Sequence, residues 1–275
     1  MSQSGLYIVA TPIGNLEDMS YRAVRILAEV DLIAAEDTRH SRPLLVHYGV
    51  DTPMQALHEH NEEQITPRLL ERINNGEAIA LISDAGTPLI SDPGYRLVRA
   101  AREAGVPVFA VPGPSAVTTA LSVAGLPSDR FAFEGFLPPK TAQRKKRLQA
   151  LNRESRTLVF FESSHRIEAT LVDMSAVFGP QRLAAVCREL TKKFETVLRA
   201  PLNSLIEQIA ADKNQTRGEF VVIIEGHEGD QNEALAKAET MSKALLEFLP
   251  ASQAARVAAK LNDVSRRDVY KLLGE

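Results

Sequence analysis

The sequence predicts an α/β fold in two successive halves, followed by a short helical tail. Three observations carry this. Short apolar runs alternate with helix-like segments over residues 6–123. A second, more closely spaced series of apolar runs covers 131–226. The last two dozen residues then read as two short helices across a tight turn.

"LYIVA" (6–10) is too short and too β-rich for a helix and reads as a buried strand. Residues 20–30 place Ala23, Leu27 and Val30 at helical spacing behind a candidate N-cap, Ser20. "LIAA" (32–35) is a strand, and "RPLLVHYG" a short helix stopped by Gly49. A strand over 54–58, a helix ending near Gly76, the strand "AIALI" (78–82), a helix closed at Gly105 and the strand "PVFAV" (107–111) follow. This alternation implies a mostly parallel sheet covered on both faces. A small-residue helix lies within 112–127. Strands are expected at 131–135, 157–162, 183–189, 195–200 and 219–226, separated by helices near 141–153, 164–177 and 202–212. The close late spacing predicts a mixed sheet. "HEGDQNEA" (227–234) reads as a polar linker. In the tail, a helix to about Leu261, a turn at "NDV" and an N-cap at Ser265 give helix-turn-helix spacing, which a plain helical hairpin also satisfies.

Tryptophan is absent and aromatics are only 5%, so the core must be built from Ala, Val, Leu and Ile. The single cysteine, Cys187, excludes an internal disulfide framework and fits a reducing, cytoplasmic setting. It sits in an apolar strand and reads as packing. No apolar run approaches a membrane span, and the N-terminus has no signal-peptide pattern. Net charge is −3, which argues against nucleic acid as a partner, but the charge is unevenly distributed. Residues 140–156 carry Lys140, Arg144, Lys145, Lys146, Arg147, Arg153 and Arg156 against Glu154 alone, a candidate polyanion patch. The tail is mildly basic through Arg256, Lys260, Arg266, Arg267 and Lys271, set against Asp263, Asp268 and Glu275.

No G-x-G-x-x-G and no Gly-Lys occurs, which removes the common nucleotide-phosphate loops. His58 and His60, placed on one side of a strand, lack a third ligand at a known spacing, so no metal site is expected. What stands out is a set of loops at strand C-terminal ends: "ATPIGNLED", "AEDTRHS", "SDAGTPLISDPG" and "PGPSA". In parallel α/β sheets, ligands lie in the crevice beyond those ends. Gly14, Gly86 and Gly113 allow close backbone approach, and four prolines pre-shape the loops. Such loops offer backbone groups more than charges. They suit a polar, weakly anionic ligand such as an adenosine bearing an amino-acid group, with Asp84 available to an amine or a ribose hydroxyl.

The strings "YIVATPIGNLEDMS", "EDTR", "LISDAGTPLISDPG", "VPGPSAVTTALSVAGLP", "GFLP", "FFESSHRI" and "RELTKKFE" resemble, along nearly the whole chain, the ribosomal RNA small subunit methyltransferase I family. That family belongs to the tetrapyrrole-methylase-like class of S-adenosylmethionine-dependent methyltransferases. The resemblance implies two α/β domains (1–113 and 114–228) with S-adenosyl-L-methionine in the cleft between them, and a helix-turn-helix extension (232–275). It implies a homodimer that 2′-O-methylates a cytidine ribose in the decoding region of small-subunit ribosomal RNA, on free RNA or on the small ribosomal subunit. It suggests cofactor contacts from Thr11, Pro12, Gly14, Asp84, Ala85, Gly86, Thr87, Ser115, Ala116, Phe161, Glu162, Leu190, Gly218 and Glu219. The rival readings are methylation of a small tetrapyrrole, against which the basic strip and tail count, and a non-catalytic RNA-binding assembly protein, against which the crevice loops count.

A ribose hydroxyl is a poor nucleophile until its proton is removed, so a general base is expected near the methyl. Asp37 and Glu36 of "EDTR" are candidates, with Arg39 orienting a carboxylate or gripping a phosphate, and Glu162 is a further candidate. A capped loop with an internal Asp–Arg ion pair is the competing reading of "EDTR". RNA contacts are expected from Lys140, Arg144, Lys145, Lys146, Arg147, Arg266 and Arg267. Replacing Lys145, Lys146 and Arg147 together with Ala is expected to weaken RNA binding and flatten its salt dependence while donor affinity stays. Filter binding across a salt series checks this.

Overall fold

The computed structural model describes residues 2–227 and 231–274. The first half runs β1 (Gly5–Val9), α1 (Tyr21–Glu29), β2 (Leu32–Ala35), α2 (Thr38–His47), β3 (Met54–Ala56), α3 (Glu62–Asn74), β4 (Ala78–Ile82), α4 (Tyr95–Glu103) and β5 (Val108–Val111). The strands pair in parallel in the order β3-β2-β4-β1-β5. Tyr7, Val9, Ala80 and Ile82 enter one core with Ala23 and Leu27 of α1. Leu6, Ile79 and Leu81 enter a second with Leu69 of α3 and Leu97 of α4. Burial on both faces is why these strands read as unbroken apolar runs rather than alternating ones.

Ser20 caps α1, its Oγ accepting from the Ala23 N–H at 3.1 Å. Helix α2 begins at Thr38, earlier than expected, because Asp37 caps it by accepting from the Arg39 N–H at 2.8 Å. His58 and His60 do not lie on a strand as expected. Strand β3 stops at Ala56, and both fall in the turn before α3. Among the described residues no group of three metal-ligating side chains forms.

The second half runs α5 (Ala116–Val123), β6 (Phe131–Phe136), α6 (Thr141–Leu151), β7 (Thr157–Ser163), α7 (Ile167–Phe178), β8 (Leu183–Arg188), β9 (Thr196–Pro201), α8 (Leu202–Ala211) and β10 (Glu219–Ile224). Its sheet, ordered β6-β7-β10-β8-β9, is mixed: β6 and β7 are parallel and the other pairs antiparallel. Ile13, from the loop after β1, shares a core with Val117 and Leu121 of α5 and with Val159, Cys187 and Val221 of this sheet. The opening loop of one half is thus anchored in the core of the other.

The chain divides by internal contacts into two units, Met1–Gln149 with Thr157–Glu225, and Ala150–Arg156 with Gly226–Glu275. Both sheets fall in the first unit, and residues 113/114 lie between β5 and α5. In the second unit, α9 (Gln231–Leu245), α10 (Ala251–Asn262) and α11 (Arg266–Leu272) close on a small core of Ala238, Ala255, Ala258, Ala259 and Val269. Asp263, at φ 51°, ends α10 in the left-handed conformation and makes the tight turn. Arg266 and Arg267 are exposed. Of the expected linker 227–234, residues 228–230 lie outside the described residues, and from Gln231 onward the chain is already helical.

The basic strip is less uniform than its sequence. Arg144 is 3% exposed and donates to Asp173 at 2.7 Å (Nε) and 2.6 Å (Nη2) and to the Pro139 carbonyl at 3.2 Å. It ties α6 to α7 and is buried away from any RNA, which corrects its assignment. Lys145 lies 3.4 Å from the other Asp173 oxygen, and Arg147 pairs with Glu134. Lys140 and Lys146 are exposed and pair with no described residue. Removing one partner of a buried ion pair strands the other, so Arg144→Ala is expected to cost roughly 3–5 kcal/mol. Lys146→Ala is expected to cost within about 0.5 kcal/mol. Denaturant unfolding of both variants checks this.

Candidate active site

The loops beyond the strand ends are laced by hydrogen bonds. Thr11 and Gly86 form an isolated backbone bridge, Thr11 N–H to Gly86 O at 2.8 Å and Gly86 N–H to Thr11 O at 3.1 Å. The Thr11 hydroxyl donates to the Ser83 carbonyl at 3.2 Å, and the Thr87 hydroxyl to that of Pro114 at 2.9 Å. Gly86 sits at φ 82°, and a Cβ there would press on Ile13 at 3.2 Å. The β2 and β4 loops exchange bonds: the Asp84 N–H donates to Glu36 at 3.3 Å, and the Asp37 N–H to Asp84 at 3.1 Å.

Beside this lacing, within the first unit, lies a cavity of about 500 Å³. That is ligand-sized. From the first half it is lined by Glu36, Asp84, Ala85, Gly86 and Thr87. From the second it is lined by Ser115, Ala116, Phe161, Glu162, Leu190, Gly218 and Glu219. The sequence pointed to all twelve. Three of its choices lie outside the lining. Thr11 is 1% exposed and holds the bridge from behind. Pro12 follows it in the same turn. Gly14 is covered by Lys192, whose Cε and Cγ would lie 2.5 Å from a Cβ there. Lys192 in turn pairs with Glu189 at 3.0 Å and Glu219 at 2.8 Å.

Two catalytic expectations are corrected. Asp37 and Arg39 do not line the cavity. Asp37 accepts from the Arg39 Nε at 3.2 Å and Nη2 at 2.9 Å, and these bonds with the Arg39 N–H hold its carboxyl down at about 2. The capped ion-pair reading of "EDTR" is the one observed. The Glu162 carboxylate is wholly engaged, by the Ser163 N–H (2.7 Å), Arg166 Nε and Nη2 (2.9 and 3.0 Å) and the Thr170 hydroxyl (2.7 Å). Arg166 also donates to the Leu137 carbonyl. Glu162 fixes the turn after β7 and has no lone pair left for a proton. Cys187 lies on the cavity floor, where burial pushes its thiol up to about 12, so it is no nucleophile.

The sequence missed Ile13, Ile90, Ser91, Asp92 and Phe136, and on the second sheet Ser163, Ser164, Phe220 and Val221. Asp92 matters most. Burial raises its carboxyl to about 6; a Ser83 hydrogen bond opposes this, and the Glu36 and Asp84 charges reinforce it. Glu36 is also raised by burial; the Asp84 N–H bond opposes this, and the Asp84 charge reinforces it. Leu89 (φ 74°) and Ser91 (φ 68°) hold this loop in left-handed backbone that non-glycine residues seldom adopt. A run of turn residues is the signal that could have found Asp92.

Residues 5–206 match the family described as Tetrapyrrole (Corrin/Porphyrin) Methylases, and residues 232–275 match the RsmI C-terminal HTH domain. Ribosomal RNA small subunit methyltransferase I of Xylella fastidiosa is 53% identical over 271 residues, covering 98% of this chain and 99% of that protein. The chain belongs to the ribosomal RNA small subunit methyltransferase I family. The Pseudomonas aeruginosa protein of the same name is 52% identical, covering 98% of this chain and 97% of its own length. Solved structures show that this fold recurs beyond the family. Diphthine synthase has a TM-score of 0.60 at 16% identity, covering 80% of this chain and 89% of that one. A uroporphyrin-III C-methyltransferase from Thermus thermophilus, complexed with S-adenosylhomocysteine, has a TM-score of 0.54 at 20% identity, covering 80% and 97%. No helix among the described residues is long and apolar enough to cross a membrane.

Asp92→Asn is expected to stabilise the family member described here at neutral pH. Above about pH 6 the folded chain holds a desolvated charge that the unfolded chain keeps hydrated. As pH falls from about 6 toward 3.8, the folded carboxyl takes up its proton first and wild-type stability recovers. The melting-temperature gap between variant and wild type should therefore be present at pH 7.5 and shrink through that window, as a thermal melt series measures.

Proposed function

We propose that this protein transfers the methyl group of S-adenosyl-L-methionine to the 2′-hydroxyl of a cytidine in the decoding region of small-subunit ribosomal RNA, and works as a homodimer. The coarser part, methylation of small-subunit ribosomal RNA, draws support from relatives of that name that match nearly end to end. The cavity supports the donor. Ile13, Leu190, Phe161 and Val221 offer apolar walls for an adenine, and Asp84 and Glu36 offer acceptors to an ammonium. The Gly86 turn leaves room where a side chain would crowd Ile13.

When bound, the donor supplies a methyl group already activated on a sulfonium. The chain's own task is then to align the hydroxyl, exclude water and take the proton. The observation that carries the mechanistic reading is Asp92. It lines the cavity, is half-buried, and has its carboxyl raised to about 6, so it is ionised at neutral pH yet a far better base than Asp37. Asp92 accepts the hydroxyl proton. Burial holds the Asp92 carboxyl up, the Glu36 and Asp84 charges add to it, and Ser83 orients it. Arg266 and Arg267 on the tail, with Lys140 and Lys146, supply phosphate contacts.

The test is to map ribose methylation on small-subunit ribosomal RNA from cells lacking the protein. One 2′-O-methyl cytidine in the decoding region is expected to vanish and to return with wild type but not with Asp92→Asn. In vitro, wild-type kcat/KM should rise with pH and level off above about 6. Asp92→Asn should lose roughly 10²–10⁴-fold in rate and that pH limb together. A variant with wild-type rate overturns the role of Asp92, and an unchanged methylation map overturns the function.

A further inference from the structure

Phe136, the last residue of β6, lines the cavity and is 56% exposed. Its placement follows from a bulge. In a regular strand residues 131, 133 and 135 share one face, and 136 lies on the other. Here Phe133 pairs with Val159, Gly135 with Phe160 and Phe136 with Phe161, leaving Glu134 as the extra residue. The shift returns Phe136 to the face of Phe133. Gly135 permits it at φ 64°, and a Cβ there would meet the Ser91 hydroxyl at 3.2 Å. The displaced Glu134 pairs with Arg147 on α6. Phe161 stands edge-on to both neighbours, 4.8 Å from Phe133 and 5.6 Å from Phe136 between centroids. The Phe136 ring is thus fixed from behind and open in front.

We propose that Phe136 is the stacking platform for the nucleobase of the nucleotide to be methylated. This rests on the RNA reading above. A ribose can enter a cavity only if its nucleotide leaves the stack, and an aromatic face replaces the stacking that is lost. The exposed Lys140 precedes, and the exposed Lys146 lies within, α6, the element that follows β6, and both offer charge to phosphate.

Full-length Phe136→Leu and Phe136→Trp test this, with small ribosomal subunits from cells lacking the protein as acceptor and calorimetry for donor affinity. Leucine keeps the apolar contact with Phe161 and removes the aromatic face. It is expected to lower kcat/KM for the subunit by about 5- to 150-fold, leaving donor affinity unchanged. Phe136→Trp keeps an aromatic face and should retain more activity than Phe136→Leu. Because the chain has no tryptophan, the introduced indole is a sole reporter. Its fluorescence should be quenched by small-subunit ribosomal RNA and not by donor alone. A leucine variant as active as wild type, or an indole quenched by donor alone, overturns the platform. If the leucine variant melts early, the indole signal decides by itself. Wild-type protein that transfers no methyl to the subunit sinks the functional reading and the platform with it, whereas an active wild type with an indifferent leucine variant sinks the platform only.

Discussion

The backbone bridge between Thr11 and Gly86 is the contact on which the site depends. It joins the loop after β1 to the loop after β4, two neighbouring central strands, and both its hydrogen bonds are buried beside a residue 1% exposed. A loop ordinarily gains little from order, because fixing each residue costs about 1–2 kcal/mol of backbone entropy. Here that cost is offset locally. The Thr11 and Thr87 hydroxyls satisfy the Ser83 and Pro114 carbonyls, and Ile13, two residues beyond the bridge, is buried in the core of the second sheet. The cavity is therefore bounded by backbone that is already in place.

Three carboxylates of this chain show how environment divides roles among like residues. Asp37 is exposed and bound to Arg39, so it is a weak base and a good helix cap. Glu162 is buried with every oxygen engaged, so it is a strut that fixes the turn after β7. Asp92 is half-buried, with one hydroxyl partner and two like charges nearby. Only the last combination leaves a carboxylate both ionised at neutral pH and avid for a proton. Holding three acids close in a cavity opposes folding, and the strain at Leu89 and Ser91 adds to that opposition. Such opposition persists only where the surrounding structure over-determines it, and the bridge and core anchor above do so.

Much of this was legible in the sequence. Unbroken apolar runs marked the central strands because both faces of that sheet are covered, and the strand "AIALI" is observed residue for residue. Glu36, Asp84, Ala85, Gly86, Thr87, Ser115 and Ala116 were legible in loops at strand C-terminal ends, where ligands in open α/β sheets gather, whereas Phe161, Glu162, Leu190, Gly218 and Glu219 were legible only through the family resemblance. What stayed hidden depends on pairings between distant residues. No local pattern says that Arg144 meets Asp173, 29 residues away, or that the Asp37 N–H meets Asp84, 47 residues away. The turn-rich stretch 83–94 announced a shaped loop, but that Asp92 joins Asp84 at the cavity depends on left-handed residues at 89 and 91 that composition does not reveal. The re-aiming of Phe136 likewise rests on a one-residue bulge, visible only once β6 is paired with β7.

The distribution of charge turns a net −3 from an objection into part of the argument. A sulfonium donor and an ammonium call for acceptors, while a polynucleotide calls for cations, and the two demands conflict if met in one place. This chain separates them. Glu36, Asp84 and Asp92 line the cavity, and no Lys or Arg is among the residues that do. The cations that would meet phosphates lie elsewhere: Lys140 and Lys146 around the start of α6, and Arg266 and Arg267 at the start of α11. Phosphate attraction is long-ranged and tolerates distance from the reacting atoms, whereas proton abstraction acts only at contact. An acidic slot whose cations stand outside its lining therefore suits an enzyme that must draw in a polyanion yet keep phosphate out of the site where the proton moves.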